Sequence, residues 1–423
     1  MPSTRVGAGA PPGRCPGVSV RLLQGDCREV LPTLPDASAH CVVTSPPYWG
    51  LRDYGVAGQL GLEPTPEAYV EAMVGVFREV RRVLRDDGTC WLNMGDSYAS
   101  TGTMDSDGNS RLHEWNGDGA AARNGSLRRR LDGNRPVGKG RAPSAPGLKS
   151  KDLVGMPWRL AFALQADGWY LRADIIWAKP NPMPESVTDR PTKAHEYVFL
   201  LSKAARYFYD ADAVREPATG NTHSKGDGHN PKRAVSDRGE CRAHNGFAAL
   251  APVTARNLRS VWTIPSAPFP EAHFATFPPA LASRCIQAGT SERGCCAACG
   301  APWERVVEPG RNIHPGSSHT HEADLTQGGT QTHASGRPAG TIMAQRWHAR
   351  TPDRMLGWQP SCDCAAPVAP CTVLDPFAGS GTVGAVAERL GRHSVLVELS
   401  PAYVAMAERR TAQFGLFAQA PAE

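Results

Sequence analysis

Six consecutive residues, Thr44-Ser45-Pro46-Pro47-Tyr48-Trp49, follow the apolar run Cys41-Val42-Val43, and their types suit one kind of chemistry. Two prolines fix the backbone and remove two N–H donors, so the loop offers carbonyl oxygens and the Ser45 hydroxyl instead. Such an acceptor-rich pocket can hold both hydrogens of an exocyclic amine on an aromatic ring. That amine is a weak nucleophile because its lone pair is delocalised into the ring. Gripping both hydrogens draws the nitrogen towards tetrahedral geometry and frees the lone pair for direct attack. Tyr48 adds an aromatic face for a base taken out of a nucleic-acid stack, which chemistry inside a duplex requires. Trp49 either extends that face or belongs to the core, and a Ser-Pro-Pro-Tyr string by itself also describes a rigid surface turn.

A second constellation lies far along the chain, in Asp375-Pro376-Phe377-Ala378-Gly379-Ser380-Gly381-Thr382. Asp375 closes a strand, and Gly379 and Gly381 let the backbone pass close to a ligand while a helix begins at Ser380 or Gly381. The free N–H groups there face an anion or carboxylate. Glu398 ends the strand that comes next in the chain, at the spacing from Asp375 where a carboxylate can accept from both hydroxyls of a ribose. No G-x-G-x-x-G and no G-K-[ST] follows, so neither a pyrophosphate cradle nor a phosphate-binding lysine is supplied. A nucleoside carrying an amino acid fits better than a dinucleotide.

Both constellations need strands that end at one edge of a sheet. VSVRLLQGDCREVL and AHCVVTSPPYW read as two strands separated by a helical turn. PEAYVEAMVGVFREVRRVLRDDG and TCWLNMG follow as helix and strand, with Gly88 as the helix stop. KDLVGMPWRLAFALQADG reads as a helix, and WYLRADIIWAK and HEYVFLLSK as strands. TVLDPFAGSGT, SGTVGAVAERLG, HSVLVEL and SPAYVAMAERRTAQF then complete a βαβα unit. This alternation predicts an α/β fold built on a mostly parallel, doubly wound sheet. Between Thr101 and Ser150 lie nine glycines and nine Lys or Arg, a composition that cannot bury enough surface to fold alone and predicts a mobile basic loop.

Cys296-Ala-Ala-Cys299 and Cys362-Asp-Cys364 are spaced as two halves of a zinc ribbon, each placing two thiolates on a tight turn. A long stretch separates the halves, so chance cysteines or a redox pair remain the alternatives. Cys295 is an alternative first ligand, and His314, His319, His321 and His333 lie in a Gly/Thr-rich stretch where solvation is the commoner fate. Pro370-Cys371 could suggest a cysteine nucleophile, but Cys371 precedes the cofactor strand and reads as a strand-start residue. The other cysteines are scattered and read as reduced and packed. A net charge of +5 permits contact with nucleic acid over part of the surface without demanding it. No segment approaches the roughly 18 apolar residues of a membrane span, and the start lacks a secretory pattern. A cytoplasmic protein is expected.

The ordered strings resemble the β-class of the DNA N4-cytosine and N6-adenine methyltransferases, in which the catalytic motif precedes the cofactor motif, a circularly permuted order. The resemblance covers roughly residues 20–100, 150–217, 256–300 and 362–413, including GDCREVL, WYLRADIIWAKPNPMPES, DRPTKAHEYVFLLSK, HFATFPPALASRCI, DPFAGSGT and VLVELSPAYVAMAERR. It implies S-adenosyl-L-methionine as methyl donor and double-stranded DNA as partner, with a restriction endonuclease as candidate genetic partner. By position it makes Ser45, Pro46, Pro47 and Tyr48 the catalytic motif, with Ser45 and the Pro46 carbonyl holding the amine. Asp26 would face the adenine amino group of the cofactor, Phe377 would pack on the adenine and Glu398 would hold the ribose. Asp375, Gly379, Gly381 and Thr382 would form the cofactor turn. Phe274 and Pro278 would lie at the methionine end, although His273-Phe274 departs from the commoner His-Pro.

Serine at the first motif position favours cytosine N4 over adenine N6, and the amine chemistry alone does not separate them. The implied organisation is a catalytic half at 18–100, a basic insertion at 101–150 and the catalytic half continued at 151–217. A candidate target-recognition region at 218–260 precedes a cofactor-side segment at 261–294, a zinc-ribbon-like insertion at 295–364 and a βαβα cofactor unit at 365–415. An RNA or protein-amide methyltransferase would place the cofactor motif first, and a catalytically dead DNA-binding protein would have lost Ser45 or the glycine turn.

Overall fold

The computed structural model describes residues 17–51, 55–99, 141–142, 147–182, 184–217, 255–267, 278–308 and 354–417. Its centre is one eight-stranded sheet. In chain order the strands are β1 (Val20–Gln24), β2 (Ala39–Thr44), β3 (Leu84–Met94), β4 (Tyr170–Ala178), β5 (His195–Ser202), β6 (Val261–Thr263), β7 (Thr372–Asp375) and β8 (His393–Glu398). Across the sheet they run β1-β8-β7-β2-β3-β5-β4-β6. Every neighbouring pair is parallel except those made by β5, which is antiparallel to both β3 and β4. The expected mostly parallel sheet is therefore present, with β5 as its one reversed strand.

Helices α1 (Cys27–Val30), α2 (Pro66–Val83), α3 (Met156–Ala166), α4 (Pro279–Gly289) and α5 (Thr382–Arg389) lie between strands, and α6 (Pro401–Phe417) follows the last of them. Period-2 alternation on β3 separates the helix layers. Cys90, Leu92 and Met94 share a core with Tyr69, Met73, Phe77 and Val80 of α2 and Leu160 and Leu164 of α3. Thr89 and Trp91 point the other way, towards Gly289 at the end of α4. Trp49 is buried at 1% exposure in the α2-side core, its indole N–H donating to the Glu63 carbonyl at 2.7 Å. Of its two expected roles, it plays the structural one.

Two local expectations are corrected. Gly88 does not stop α2. The helix ends at Val83 and the strand begins at Leu84, running through Gly88 to Met94. A Cβ on Gly88 would come within 2.9 Å of the His40 carbonyl and 2.5 Å of Leu84 Cδ1, so the glycine serves close strand approach, beside the register shift between Ala39 and Cys41. The helix after the Gly379–Gly381 turn begins at Thr382, just past the expected start at Ser380 or Gly381, because Gly381 takes a left-handed conformation at φ 76 and caps it.

By internal contacts the chain forms two units, one of residues 1–214, 259–304 and 360–423 and the other of 215–258 and 305–359. The insertion expected at 295–364 is thus divided: both cysteine pairs belong to the sheet unit and the intervening chain to the second. That second unit carries most of two ribbons, Glu216–Pro217 with Ala255–Arg256 and Trp303–Glu308 with Arg354–Pro360. Arg256 pairs with Glu216 at 3.1 Å within it. Most of the insertions expected at 101–150 and 218–260 lie outside the described residues, as do Phe274 and His314, His319, His321 and His333. Among the described residues no helix is long and apolar enough to cross a membrane.

Candidate active site

The sheet order puts the tips of β1, β8, β7 and β2 in a row. All four strands are parallel, so Asp26, Glu398, the Gly379 turn and Ser45 follow one another along a single edge. Three interstrand spacings separate the first from the last, roughly 14 Å. The two halves of the site come from opposite ends of the chain and are joined directly: Thr44 Oγ1 donates to Asp375 Oδ1 at 2.7 Å. Val373 pairs with Cys41 and Leu374 with Val42 beneath that bond.

In the turn after β7, Gly379 (φ 52) and Gly381 (φ 76) both occupy the left-handed region. No atom lies within 4 Å of a Cβ built on Gly379, whereas one on Gly381 would meet Ala407 Cβ of α6 at 2.8 Å. The first glycine therefore leaves open room at the sheet edge and the second lets two helices approach. Glu398 accepts from the Gly379 N–H at 2.7 Å through Oε2 and from the Ser400 N–H at 2.8 Å through Oε1. Each carboxylate oxygen keeps a second acceptor site. Burial pushes the Glu398 pKa above its ordinary value, against the pull of those backbone bonds.

Asp375 is almost wholly buried, and burial first, with the nearby Glu398 charge adding to it, raises its pKa to about 7. Both its hydrogen bonds, from Thr44 and from the Phe377 N–H at 3.1 Å, go to Oδ1. Arg410 of α6 donates to Ser380 Oγ at 3.0 Å and to Thr382 Oγ1 at 2.8 Å, bracing the turn from behind.

Gly25 places Asp26 beside Glu398, its N–H donating to the Glu398 carbonyl at 2.9 Å. Asp26 caps α1 by accepting from the Arg28 N–H at 2.9 Å and pairs with the Arg28 guanidinium. Partial burial pushes its pKa up, but Arg28 outweighs this and holds it below the usual carboxylate value. Arg28 in turn reaches the Gly58 carbonyl at 2.7 Å.

The loop after β2 is built from side chains. Ser45 Oγ donates to Tyr48 OH at 3.3 Å, and Tyr48 OH donates to Glu196 Oε2 of β5 at 2.8 Å. Asn93 of β3 holds the same carboxylate oxygen at 3.2 Å and the Tyr197 carbonyl at 3.1 Å through Nδ2. Lys179, just past β4, pairs with the other oxygen of Glu196 while lying over the Trp177 ring. Tyr69 of α2 donates to the Pro47 carbonyl at 2.8 Å. The Pro46 carbonyl has no backbone hydrogen-bond partner among the described residues. Gly95 lets the Tyr48 ring lie against the end of β3, since a Cβ there would be 2.6 Å from the ring.

With its hydrogen committed to Tyr48, the Ser45 oxygen is left as an acceptor beside the Pro46 carbonyl. Glu196, Asn93 and Lys179 are functional candidates that motif reasoning missed. Their only signal was that they sit in or beside the strings HEYVFLLSK, TCWLNMG and WYLRADIIWAK, at strand ends on the β2 side of the sheet edge. Pro278 is buried at the N-terminus of α4, and α4 packs on α5, the helix that follows the Gly379–Gly381 turn.

The four cysteines expected as metal ligands, Cys296, Cys299, Cys362 and Cys364, come together with all sulfurs within 4.8 Å of one another. Cys295 is not among them. It and Cys296 are consecutive on one short strand, so their side chains point to opposite sides. Cys371 is buried immediately before β7, packed near Cys295 and His40.

The chain is also similar to known proteins. A family model described as DNA methylase matches residues 39–297 and 371–409. The Type II methyltransferase M.SmaI of Serratia marcescens is 37% identical over 397 residues, covering 93% of this chain and 90% of the relative. The Type II methyltransferase M.XycI of Xanthomonas campestris pv. cyanopsidis is 38% identical over 390 residues, covering 92% and 86%. The solved structure of the cytosine-N4-specific PvuII DNA methyltransferase aligns at 17% identity and a TM-score of 0.47, covering 93% of this chain and 86% of that one.

Proposed function

The chain belongs to the N6/N4 DNA methylase family, and from that premise we propose that it transfers the methyl group of S-adenosyl-L-methionine to the N4 amine of cytosine within a duplex DNA sequence. The observation that carries this is the Thr44–Asp375 bond, which puts the acceptor loop and the glycine turn at neighbouring strand tips. Open α/β sheets hold their ligands in such a crevice.

The row of tips suits S-adenosyl-L-methionine as donor. Asp26 offers an acceptor for an adenine amino group, Phe377 an aromatic edge, and the two oxygens of Glu398 accept from the ribose hydroxyls. The open space beside Gly379 admits the methionine portion, with Pro278 on the α4 side. When bound, the donor supplies an electrophilic methyl on a sulfonium, so no protein nucleophile is required. Ser45 Oγ and the Pro46 carbonyl accept hydrogen bonds from the two amine hydrogens and localise the nitrogen lone pair; the sulfur–methyl bond breaks as the nitrogen–methyl bond forms, and the methylated amine then loses one proton to solvent. Glu196 keeps the Tyr48 hydroxyl pointing away from Ser45, so that the Ser45 oxygen stays an acceptor. Tyr48 supplies the stacking face for a flipped base.

Ser45 supports cytosine over adenine, because serine opens this motif more usually in the cytosine-N4 enzymes. Target choice is assigned to the segment 218–260, aided by 300–360, where Arg and Asn can read base edges while Lys and Arg hold phosphates. The Type II relatives make a cognate restriction endonuclease the expected genetic partner. Labelled donor offered with duplex DNA, single-stranded DNA and RNA, followed by mass analysis of the nucleosides, tests the reading. N4-methylcytosine in duplex is expected. N6-methyladenine would overturn the choice of base, and label confined to RNA would overturn the choice of substrate.

A further inference from the structure

We propose that Cys296, Cys299, Cys362 and Cys364 bind one zinc ion through four thiolates, clasping together the two stretches of the sheet unit that flank residues 305–359. Four sulfurs lie within 4.8 Å of one another, contributed by two segments well separated in the chain. All four cysteines are free of disulfides. A tetrahedral ion with Zn–S bonds of about 2.3 Å places its ligands roughly 3.8 Å apart, so this cage needs little adjustment to close on a metal.

The turn that carries Cys296 and Cys299 is closed by the Gly300 N–H, which donates to the Cys296 carbonyl at 2.8 Å. The carbonyls of the same turn are drawn outward. Arg85 Nη1 donates to the Cys299 carbonyl at 2.7 Å, and His40 Nε2 contacts the Gly300 carbonyl at 2.9 Å. Gly300 sits at φ 72, where a Cβ would come within 2.5 Å of Arg85. A zinc ion with four thiolates carries a net charge of about −2, and the Arg85 guanidinium beside Cys299 offsets part of it.

The backbone holds both halves together independently of a metal. Residues Cys295–Cys296 pair with Val368–Ala369, the Ala297 N–H donates to the Pro367 carbonyl at 2.9 Å, and Ser361 Oγ donates to the Pro302 carbonyl at 2.6 Å. Zinc therefore enters a scaffold already close to its bound form. Nearby, His40, Cys295 and Cys371 form a second cluster. There the Thr372 N–H donates to His40 Nδ1 at 3.0 Å, and His40 Nε2 lies 2.9 Å from the Gly300 carbonyl.

The test is metal analysis of the full chain purified without chelator. About one zinc per chain is expected, released together with four thiol equivalents by a mercurial titrant. The Cys296→Ser/Cys364→Ser double variant should lose the metal and the Cys27→Ala control should keep it. Should the double variant fail to fold, reconstitution of the wild-type chain with Co(II) keeps the question open to measurement. Thiolate-to-cobalt charge transfer with tetrahedral d–d bands is expected. Iron in place of zinc, disulfide-linked peptides among these four cysteines, octahedral cobalt, or zinc retained by the double variant would each overturn the proposal. Zinc content does not depend on which base is methylated, so its failure and that of the methyl-transfer reading are distinguishable.

Discussion

The turn after β7 and the loop after β2 leave adjacent strands, yet they are built by opposite means. The first is nearly all backbone: two left-handed glycines, main-chain N–H donors, and a carboxylate whose partners are main-chain amides. The second has lost N–H donors to two prolines and relies on a relay of side chains, Ser45 to Tyr48 to Glu196, drawn from β5 and buttressed from β3 and the end of β4. A backbone cradle suits a ligand that is always the same, because it cannot be retuned by single substitutions. A side-chain relay suits a reactive amine, because hydroxyl hydrogens can be directed away and leave acceptors behind. Removing one wall should therefore cost chemistry and removing the other should cost binding.

The sharpest break is Ser45→Ala with Tyr48→Ala, which removes an acceptor and the stacking face. Methyl transfer should fall about 10⁴-fold, roughly 5 kcal/mol at the transition state. Calorimetric affinity for the donor should change less than about threefold. Full turnover in this variant would mean that the catalytic loop is misassigned.

Glu398→Ala should act in the reverse sense. Loss of two hydrogen bonds to a carboxylate predicts donor affinity about 100-fold weaker, ~2.7 kcal/mol, with turnover at saturating donor little changed. Unaltered affinity by calorimetry would remove Glu398 from the cofactor site.

Asp375 sharpens the comparison because it belongs to both loops. Its folded pKa of about 7 lies above the ordinary value of 3.8, so the folded protein holds the proton more tightly than the unfolded chain. The corresponding stability is complete below 3.8 and is lost as pH rises towards 7. Between pH 5 and 7 the loss should be about 2 kcal/mol. Urea midpoints should show this decline in the wild type, and Asp375→Asn should lack it. Parallel pH profiles for the two proteins would refute the assignment.

The smallest effect is expected at Glu196, which positions Ser45 through Tyr48. Glu196→Ala should lower kcat about tenfold, ~1.4 kcal/mol, with KM for DNA unchanged. Glu196→Gln should recover most of that, because an amide oxygen still accepts from Tyr48. Equal losses in both variants, or a change confined to KM, would make the role one of packing alone.

Much of this was legible in the chain. The order of strands and helices in the βαβα unit from Thr372 to Phe417 follows its hydrophobic period, Gly391 and the Ser400-Pro401 start. The cysteine pairs declared themselves by spacing. Glu196 and Asn93 did not, because nothing local distinguishes a strand-end carboxylate aimed at a distant tyrosine from a solvated one. Gly88 misled for a related reason: a glycine after a helical stretch looks like a cap, and only the neighbouring His40 carbonyl shows it to be a strand contact.

By itself the sequence determined the chemistry available, since proline removes donors, glycine opens backbone and cysteine pairs offer thiolates wherever they are placed. Which groups meet was decided only by the tertiary structure. Parallel pairing of β2 with β7 joins segments near opposite ends of the chain, and its register sets the Thr44–Asp375 bond. Cross-strand hydrogen bonding, rather than any local preference, brings two separate loops to neighbouring strand tips.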